Sequence, residues 1–294
     1  MSKRTSIIIV NYNGSKVISQ CLEALTKQTD INFEVIVVDN ASTDDSLAKI
    51  KSFPWVQLIN LESNLGFTGG NIQGLMHATG EYICLLNPDT EVNPNWLENL
   101  CEAMQRHAEV GICASKLVVY DSGMIDSAGD GCTTTGKGYK RGEGLDSNQF
   151  KEEEFVFGAC GGAMLIRRSL IDVIGFLDND FFLIHEDTDF NFRAQLAGWK
   201  CLFVPDAIVL HKVRSSIGHM SDMAVYYSVR NARYVLLKNM PKKIIVKYFF
   251  WYLVQEIGSI LYFVFKHKKI IPYLRANWDF LKKIPDLLSK RREV

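Results

Sequence analysis

The chain carries no net charge: 33 Lys and Arg balance 33 Asp and Glu over 294 residues. The balance hides an asymmetry. From Pro241 to the end there are 12 basic and 4 acidic residues, leaving 21 basic and 29 acidic before that point. A basic tail on an acidic body suggests contact with a membrane or a polyanion. There is no C-x-x-C pair among the seven cysteines at 21, 84, 101, 113, 132, 160 and 201. Odd in number and scattered, they read as buried thiols of a reducing compartment, with neither a disulfide framework nor a zinc site indicated. No internal repeat is apparent. The amino terminus, Met1-Ser2-Lys3-Arg4, runs into a strand-like segment without the apolar stretch of a signal peptide, so the active site is expected in the cytoplasm. The dinucleotide pattern G-x-G-x-x-G is missing too. Gly66-x-x-Gly69-Gly70 has another spacing and follows the second predicted helix instead of the first strand, which argues against a nicotinamide dehydrogenase.

What is present first is alternation. Apolar runs at Ser6–Val10, Phe33–Val38, Val56–Asn60 and Tyr82–Leu86 predict strands, and Lys16–Gln28, Ser46–Phe53, Gly69–Ala78 and Trp96–His107 predict helices between and after them. This order gives a mostly parallel, doubly wound α/β sheet. After Gly111 the pattern changes. The Gly- and Thr-rich stretch Asp121–Gly144 lacks periodicity and reads as a mobile loop, placed to act as a lid or to touch an acceptor.

Two acidic clusters carry the most information, Asn87-Pro88-Asp89-Thr90 and His185-Glu186-Asp187-Thr188-Asp189. Asp89 follows a buried-strand pattern, so it is expected at the carboxyl end of a strand, where ligands bind in open α/β sheets. The second cluster opens a helical pattern that stops at Gly198. The helix dipole accounts for one or two carboxylates at such a start, but not for Glu186, Asp187 and Asp189 together with Asp89.

With its surroundings the chain resembles an inverting glycosyltransferase of family 2 on the GT-A fold, and within it the rhamnosyltransferase-like members. The resemblance runs from Ser6-Ile7-Ile8-Ile9-Val10-Asn11-Tyr12-Asn13 through Val35–Ser42, Asn64-Leu65-Gly66-Phe67 with Gly70-Asn71, and Leu86-Asn87-Pro88-Asp89-Thr90 to Gly158–Arg167, Glu186-Asp187, Gly198-Trp199 and His211. It covers roughly residues 5 to 240. It implies a catalytic domain over 1–213, with a donor half to about 110 and an acceptor half beyond it, followed by a helical region over 214–294. Asn11, Tyr12, Asp39, Asn64, Gly66, Phe67, Asn71, Asn87 and Asp89 are then expected at a nucleotide diphosphate sugar donor. Plainer roles are open to Tyr12 as cover for a sheet edge and to Asp39 as a turn cap. Asp89, and His211 after the run Ala207–Leu210, are the implied ligands of a divalent metal, Mn²⁺ or Mg²⁺. The family usually writes Asp-x-Asp here, and this chain has Asn87 at the first position. Asp187 is implied as the general base that takes the acceptor's proton, with Glu186 in support, and Gly161 and Gly162 as a flat floor for sugar and acceptor. Arg230-Asn231 resembles a feature of the same subfamily; contact with phosphate and helix packing are both open for it.

The implied reaction moves a sugar, rhamnose from dTDP-rhamnose or a sugar from a UDP-sugar, to a hydroxyl of a lipid-linked surface glycan. Two other readings stand beside it. One is a sugar nucleotidyltransferase of the same fold, for which Asn11-Tyr12-Asn13-Gly14 lacks the basic triphosphate loop; the other is a non-catalytic subunit of a polysaccharide assembly complex. In the tail, a helix over Ile244–Lys266 sets Val246, Phe249, Phe250, Leu253, Val254, Ile257, Ile260, Leu261 and Val264 on one arc. Lys247, Gln255 and Glu256 are costly inside a bilayer, so the helix is expected to lie on an anionic membrane surface, peripheral on the inner face of the cell membrane. Packing in a homo-oligomer is the alternative. Aromatics interleaved with long aliphatics favour lipid over nucleic acid.

Overall fold

A computed structural model describes residues 4–212 and 220–291. The terminal Met1, Ser2 and Lys3, the boundary at 213/214, His219 and Arg292 lie outside the described residues. The first half follows its apolar runs: β1 (Thr5–Asn11), α1 (Ile18–Leu25), β2 (Phe33–Asp39), α2 (Ser46–Lys51), β3 (Gln57–Asn60), α3 (Gly66–Leu75), β4 (Tyr82–Leu86), β5 (Thr90–Val92) and α4 (Trp96–Arg106). Side chains alternate across a strand, so Ile7 and Ile9 join one buried cluster with Val35 and Cys84, while Ile8 joins a second with Ile36, Ile83 and Leu85. Both faces are covered, which is why these strands read as unbroken apolar runs.

The second half continues with β6 (Val110–Val119), β7 (Ile125–Ser127), β8 (Asp130–Cys132), β9 (Gly138–Lys140), β10 (Glu154–Val156), β11 (Ala163–Arg167), α5 (Arg168–Ile174), α6 (Glu186–Leu196) and β12 (Lys200–His211). The stretch 121–144, expected to be an irregular loop, thus holds three short strands. Each is three residues long, too short to show a two-residue period, and β7 pairs with β6 while β8 pairs with β9. The large sheet is mixed, in the order β10-β12-β6-β11-β4-β1-β2-β3. β4, β1, β2 and β3 run parallel, whereas β11 is antiparallel to both β4 and β6. Strand order reverses around β1, and the crevice that such a reversal opens lies beyond the carboxyl ends of β1, β2 and β4.

Four helices follow: α7 (Asp222–Asn239), α8 (Lys242–Lys247), α9 (Phe249–Ser259) and α10 (Ile270–Lys290), with a π-helical stretch Ile260–Lys266 before the last. The single helix expected over 244–266 is therefore broken. Tyr248, at φ −106° and ψ 15°, separates α8 from α9, and i+5 bonding takes over from Ile260. The polar side of α9 faces the body, where Gln255 bonds Thr135 and Glu256 pairs with Arg233. Its other side leaves Phe249, Phe250, Trp251, Leu253, Val254 and Ile257 exposed, and α10 adds Ile271, Leu274, Trp278 and Leu281. Among the described residues, no helix is long and apolar enough to cross a membrane.

Candidate active site

Side chains at the ends of β1 and β2 form the first corner of the site. Asn11 and Asp39 are register partners, and Asn11 Nδ2 donates to Asp39 Oδ1 at 2.8 Å. The second Asp39 oxygen accepts from the Ser42 amide at 3.0 Å, so both residues are buried and rigidly set. Asn40 reaches across to the loop before α3, donating to Asn64 Oδ1 at 2.9 Å and the Gly66 carbonyl at 3.0 Å, while the Leu65 amide donates to Asn40 Oδ1. Gly66 sits at φ +73°, and a Cβ there would lie 2.4 Å from the Phe182 carbonyl oxygen. Only glycine fits. Tyr12 stands half exposed beside this corner. Asn71 does not join it: the side chain is buried in its own helix, donating to the Phe67 carbonyl at 2.9 Å.

The second corner gathers around His211, the last residue of β12, in register with Thr90 of β5. The imidazole is held between two carboxylates, with Nε2 3.3 Å from Asp89 Oδ1 and Nδ1 2.9 Å from Asp126 Oδ2. Burial works against its positive charge, but hydrogen bonds to Asp126 and Asp89 outweigh this and raise its pKa to about 9. Asp126 is itself paired with Lys140 at 2.6 Å. A carboxylate behind a histidine fixes the ring's orientation and leaves the far nitrogen aimed at the partner. The corner places one hard oxygen, Asp89 Oδ1, and one imidazole nitrogen, His211 Nε2, 3.3 Å apart.

The third corner is the start of α6. Asp187 Oδ2 accepts from the Gly161 amide at 2.9 Å, and Oδ1 accepts from the Thr188 amide at 2.6 Å. A Cβ on Gly161 would stand 3.4 Å from both the Asp187 Cβ and Phe67 Cε1. Gly162 closes the link to the first acidic motif, since its carbonyl accepts from the Asn87 amide at 2.8 Å. Glu186 is buried; desolvation, then the charge of Asp187, hold its carboxyl well above the usual carboxylate range. Asp189 points elsewhere, fully buried between Arg193, Lys238 and Asn239.

Three charged groups here escaped the sequence reading. Asp126, Asp130 and Lys140 come from the stretch taken for a loop, and Asp130 lies within 4.8 Å of Asp187 and the Cys160 thiol. Burial and then the Asp187 charge raise Asp130 to about 7, against a hydrogen bond from Ser127. Cys160 is likewise held well above the usual thiol range, first by burial and then by Asp130. A neutral thiol beside carboxyls suits a hard cation poorly. The paired spacing Asp126-x-x-x-Asp130 was the only signal, and it is weak without an apolar strand pattern around it.

Residues 6–175 match the family model described as Glycosyl transferase family 2. The chain belongs to this family. Among relatives, the family 2 chain is 25% identical over 237 residues to an N-acetylglucosaminyl-diphospho-decaprenol L-rhamnosyltransferase of Mycobacterium tuberculosis, covering 72% of this chain and 77% of the relative. It is also 25% identical over 233 residues to the amylovoran biosynthesis glycosyltransferase AmsB of Erwinia amylovora, at 75% and 74% coverage. Two solved structures resemble it at 18% identity. GalNAc-T7 with UDP, GalNAc and Mn2+ gives a TM-score of 0.65 over 88% of this chain and 57% of that one; S. aureus TarS 1-349 with UDP-GlcNAc gives 0.59 over 97% and 82%. At that identity the likeness shows the fold, which is the expected GT-A architecture. The chain spans a little over half the length of the GalNAc-T7 chain. It is a glycosyltransferase.

Proposed function

We propose that this enzyme is an inverting glycosyltransferase that moves a sugar from a nucleotide diphosphate donor to a hydroxyl of a lipid-linked glycan. The observation that carries the reading is Asp187, whose carboxylate is oriented by the Gly161 and Thr188 amides at the junction of the two acidic motifs. Inversion needs a single base on the sugar face opposite the leaving group, and Asp187 supplies it: one carboxylate oxygen accepts the proton of the acceptor hydroxyl as the hydroxyl oxygen bonds to the anomeric carbon and the bond from that carbon to the nucleotide diphosphate breaks. Amide donors hold the carboxylate without neutralising it. Asn11, Asp39 and the Asn64–Gly66 loop bind the nucleotide, and the Gly161–Gly162 floor lets donor sugar and acceptor approach Asp187. The donor set of Asp89 and His211 fits Mn²⁺ or Mg²⁺, with the imidazole favouring Mn²⁺. When bound, the ion neutralises charge on the departing diphosphate.

Rhamnose is the sugar suggested by the L-rhamnosyltransferase relative, with dTDP-rhamnose as the donor the family resemblance implies, and a UDP-sugar is suggested by the TarS structure with UDP-GlcNAc and the GalNAc-T7 structure with UDP. The membrane-peripheral placement rests on α9 and α10, whose exposed apolar side chains lie beside exposed Lys242, Lys243, Lys266 and Lys282. One experiment separates the two acidic motifs: nucleotide diphosphate release and calorimetric donor binding, with UDP- and dTDP-sugars and with or without chelator. Asp187→Asn should lower turnover by about 10²–10⁴-fold with donor affinity close to wild type. Asp89→Ala should lose affinity and turnover together. Unchanged turnover in Asp187→Asn removes the base, and wild-type behaviour indifferent to chelator removes the metal.

A further inference from the structure

The segment Asp180–His185, immediately before the base, has an unusual backbone. Phe182, Ile184 and His185 lie at φ +64°, +65° and +70°, a left-handed region that a β-branched or aromatic residue enters only when its surroundings impose it. The Leu183 amide donates back to the Phe181 carbonyl at 2.8 Å across Phe182, the strained form of the three-residue turn. Such a segment has no regular ladder to receive its carbonyls. They are received by two adjacent side chains of α7 instead.

Asn231, fully buried, donates from Nδ2 to the carbonyls of Phe181, Leu183 and Ile184 at 2.9, 2.8 and 2.7 Å. Arg230 donates from Nη2 to the carbonyls of Asp180 and Phe181 at 2.7 and 3.0 Å, and from Nε to Asn231 Oδ1 at 2.9 Å. That last bond fixes which way the amide faces. The guanidinium lies over the rings of Tyr226, Tyr227 and Tyr234, and Tyr227 stacks on Phe182 at 5.2 Å and 13°. Of the two carbonyls that the pair leaves, that of His185 accepts from the Asp189 amide at 2.9 Å, and that of Phe182 accepts from the Thr68 amide at 3.0 Å and abuts Gly66. The clamped segment therefore touches the nucleotide loop on one side and leads into Glu186-Asp187 on the other.

We propose that Arg230 and Asn231 are positioning residues for sugar transfer: they hold Asp180–His185 in its left-handed form and thereby set Asp187 against the Gly161 amide. Both bind backbone. The proposal rests on Asp187 as the base, but it can fail separately. A misplacement of about 1 Å at a catalytic group costs about 10²-fold in rate, and that is the size of loss a released segment should bring.

The test uses the full-length chain carrying Asn231→Asp, which swaps the amide donor for an acceptor of the same shape, and Arg230→Lys, which keeps the cation and loses the fork. Hydrogen exchange should rise at least tenfold in peptides spanning 181–189 while those of β1 and β4 stay protected. With the donor that gives most nucleotide diphosphate release in the wild type, kcat should fall about 10²-fold for Asn231→Asp and less for Arg230→Lys. Calorimetric binding of UDP or dTDP should stay within about threefold. Unchanged exchange at 181–189, or faster exchange with unchanged kcat, overturns the proposal. If Asn231→Asp does not fold, Arg230→Lys alone decides on the same two readouts. Loss of the base assignment shows differently, as full turnover in Asp187→Asn whatever the exchange of this segment.

Discussion

Neighbouring carboxylates in this site do different work because their surroundings differ. Asp187 accepts two backbone amide bonds, which suits an ionised oxygen, whereas Glu186, one residue away, is buried and keeps Oε2 without a hydrogen-bond partner among the described residues. Desolvation and then the Asp187 charge hold the Glu186 carboxyl well above the usual carboxylate range, which favours its neutral form. With no ion pair among the described residues and a buried side chain, its contribution is packing. Glu186→Gln should therefore keep turnover within about threefold of wild type, while Glu186→Ala should lower the thermal stability by about 1–3 kcal/mol and reduce turnover with it. Steady-state kinetics and calorimetry on both variants check this; a loss in Glu186→Gln as large as in Asp187→Asn means that the charge is required.

At the scale of elements, the segment before α6 and the last helix are tied together by lysines. Asp178 pairs with Lys238 of α7 at 2.7 Å and Lys290 of α10 at 2.8 Å, and Asp180 pairs with Lys290 and Lys283. Burial pushes the Asp178 carboxyl up, but Lys238 and Lys290 outweigh it and hold it well below the usual carboxylate range. The folded value lies below the unfolded one. Its stabilisation is thus fully present above about pH 4 and is lost as the pH falls towards the folded value, an effect of about 2 kcal/mol. Thermal melts between pH 7 and pH 2.5 should show this acid limb, and Asp178→Asn should be less stable at pH 7 and flatter below pH 4. Equal slopes in the two proteins exclude Asp178 as the group responsible.

Across the whole molecule, exposed apolar surface gathers on the tail. Two carboxylates of the tail face α7, Glu256 paired with Arg233 and Asp279 accepting from Tyr226, and the aromatic side of α9 and α10 is left outward. That arrangement predicts binding to vesicles with anionic headgroups. High salt should weaken binding without abolishing it, because Debye screening acts on the lysines and not on burial of Phe250 and Trp251. The double variant Phe250→Glu, Trp251→Glu should lose most vesicle co-sedimentation with its thermal midpoint little changed, since both residues are exposed. A wild-type chain that stays in the supernatant with anionic vesicles at low salt contradicts the placement.

Local chemistry made much of this legible beforehand. Apolar runs at β1, β2 and β4, the turn residues after them and the spacing of Asn87–Asp89 and Glu186-Asp187 depend on neighbours within a few residues, so strand ends, α6 and the Asp89 and Asp187 positions could be read from the chain alone. The mixed sheet could not, because β11 enters between β4 and β6 from far along the chain. Nor could Asp126 and Lys140 behind His211, which come from strands of three residues, too short to show a period, and meet a histidine far along the chain. Tertiary packing also decided that Asp189 meets Arg193 and Lys238, and that the Arg230 and Asn231 side chains bond the backbone before Asp187. A side chain's type and spacing determine what it can do, whereas its partners across the sheet determine which of those things it does.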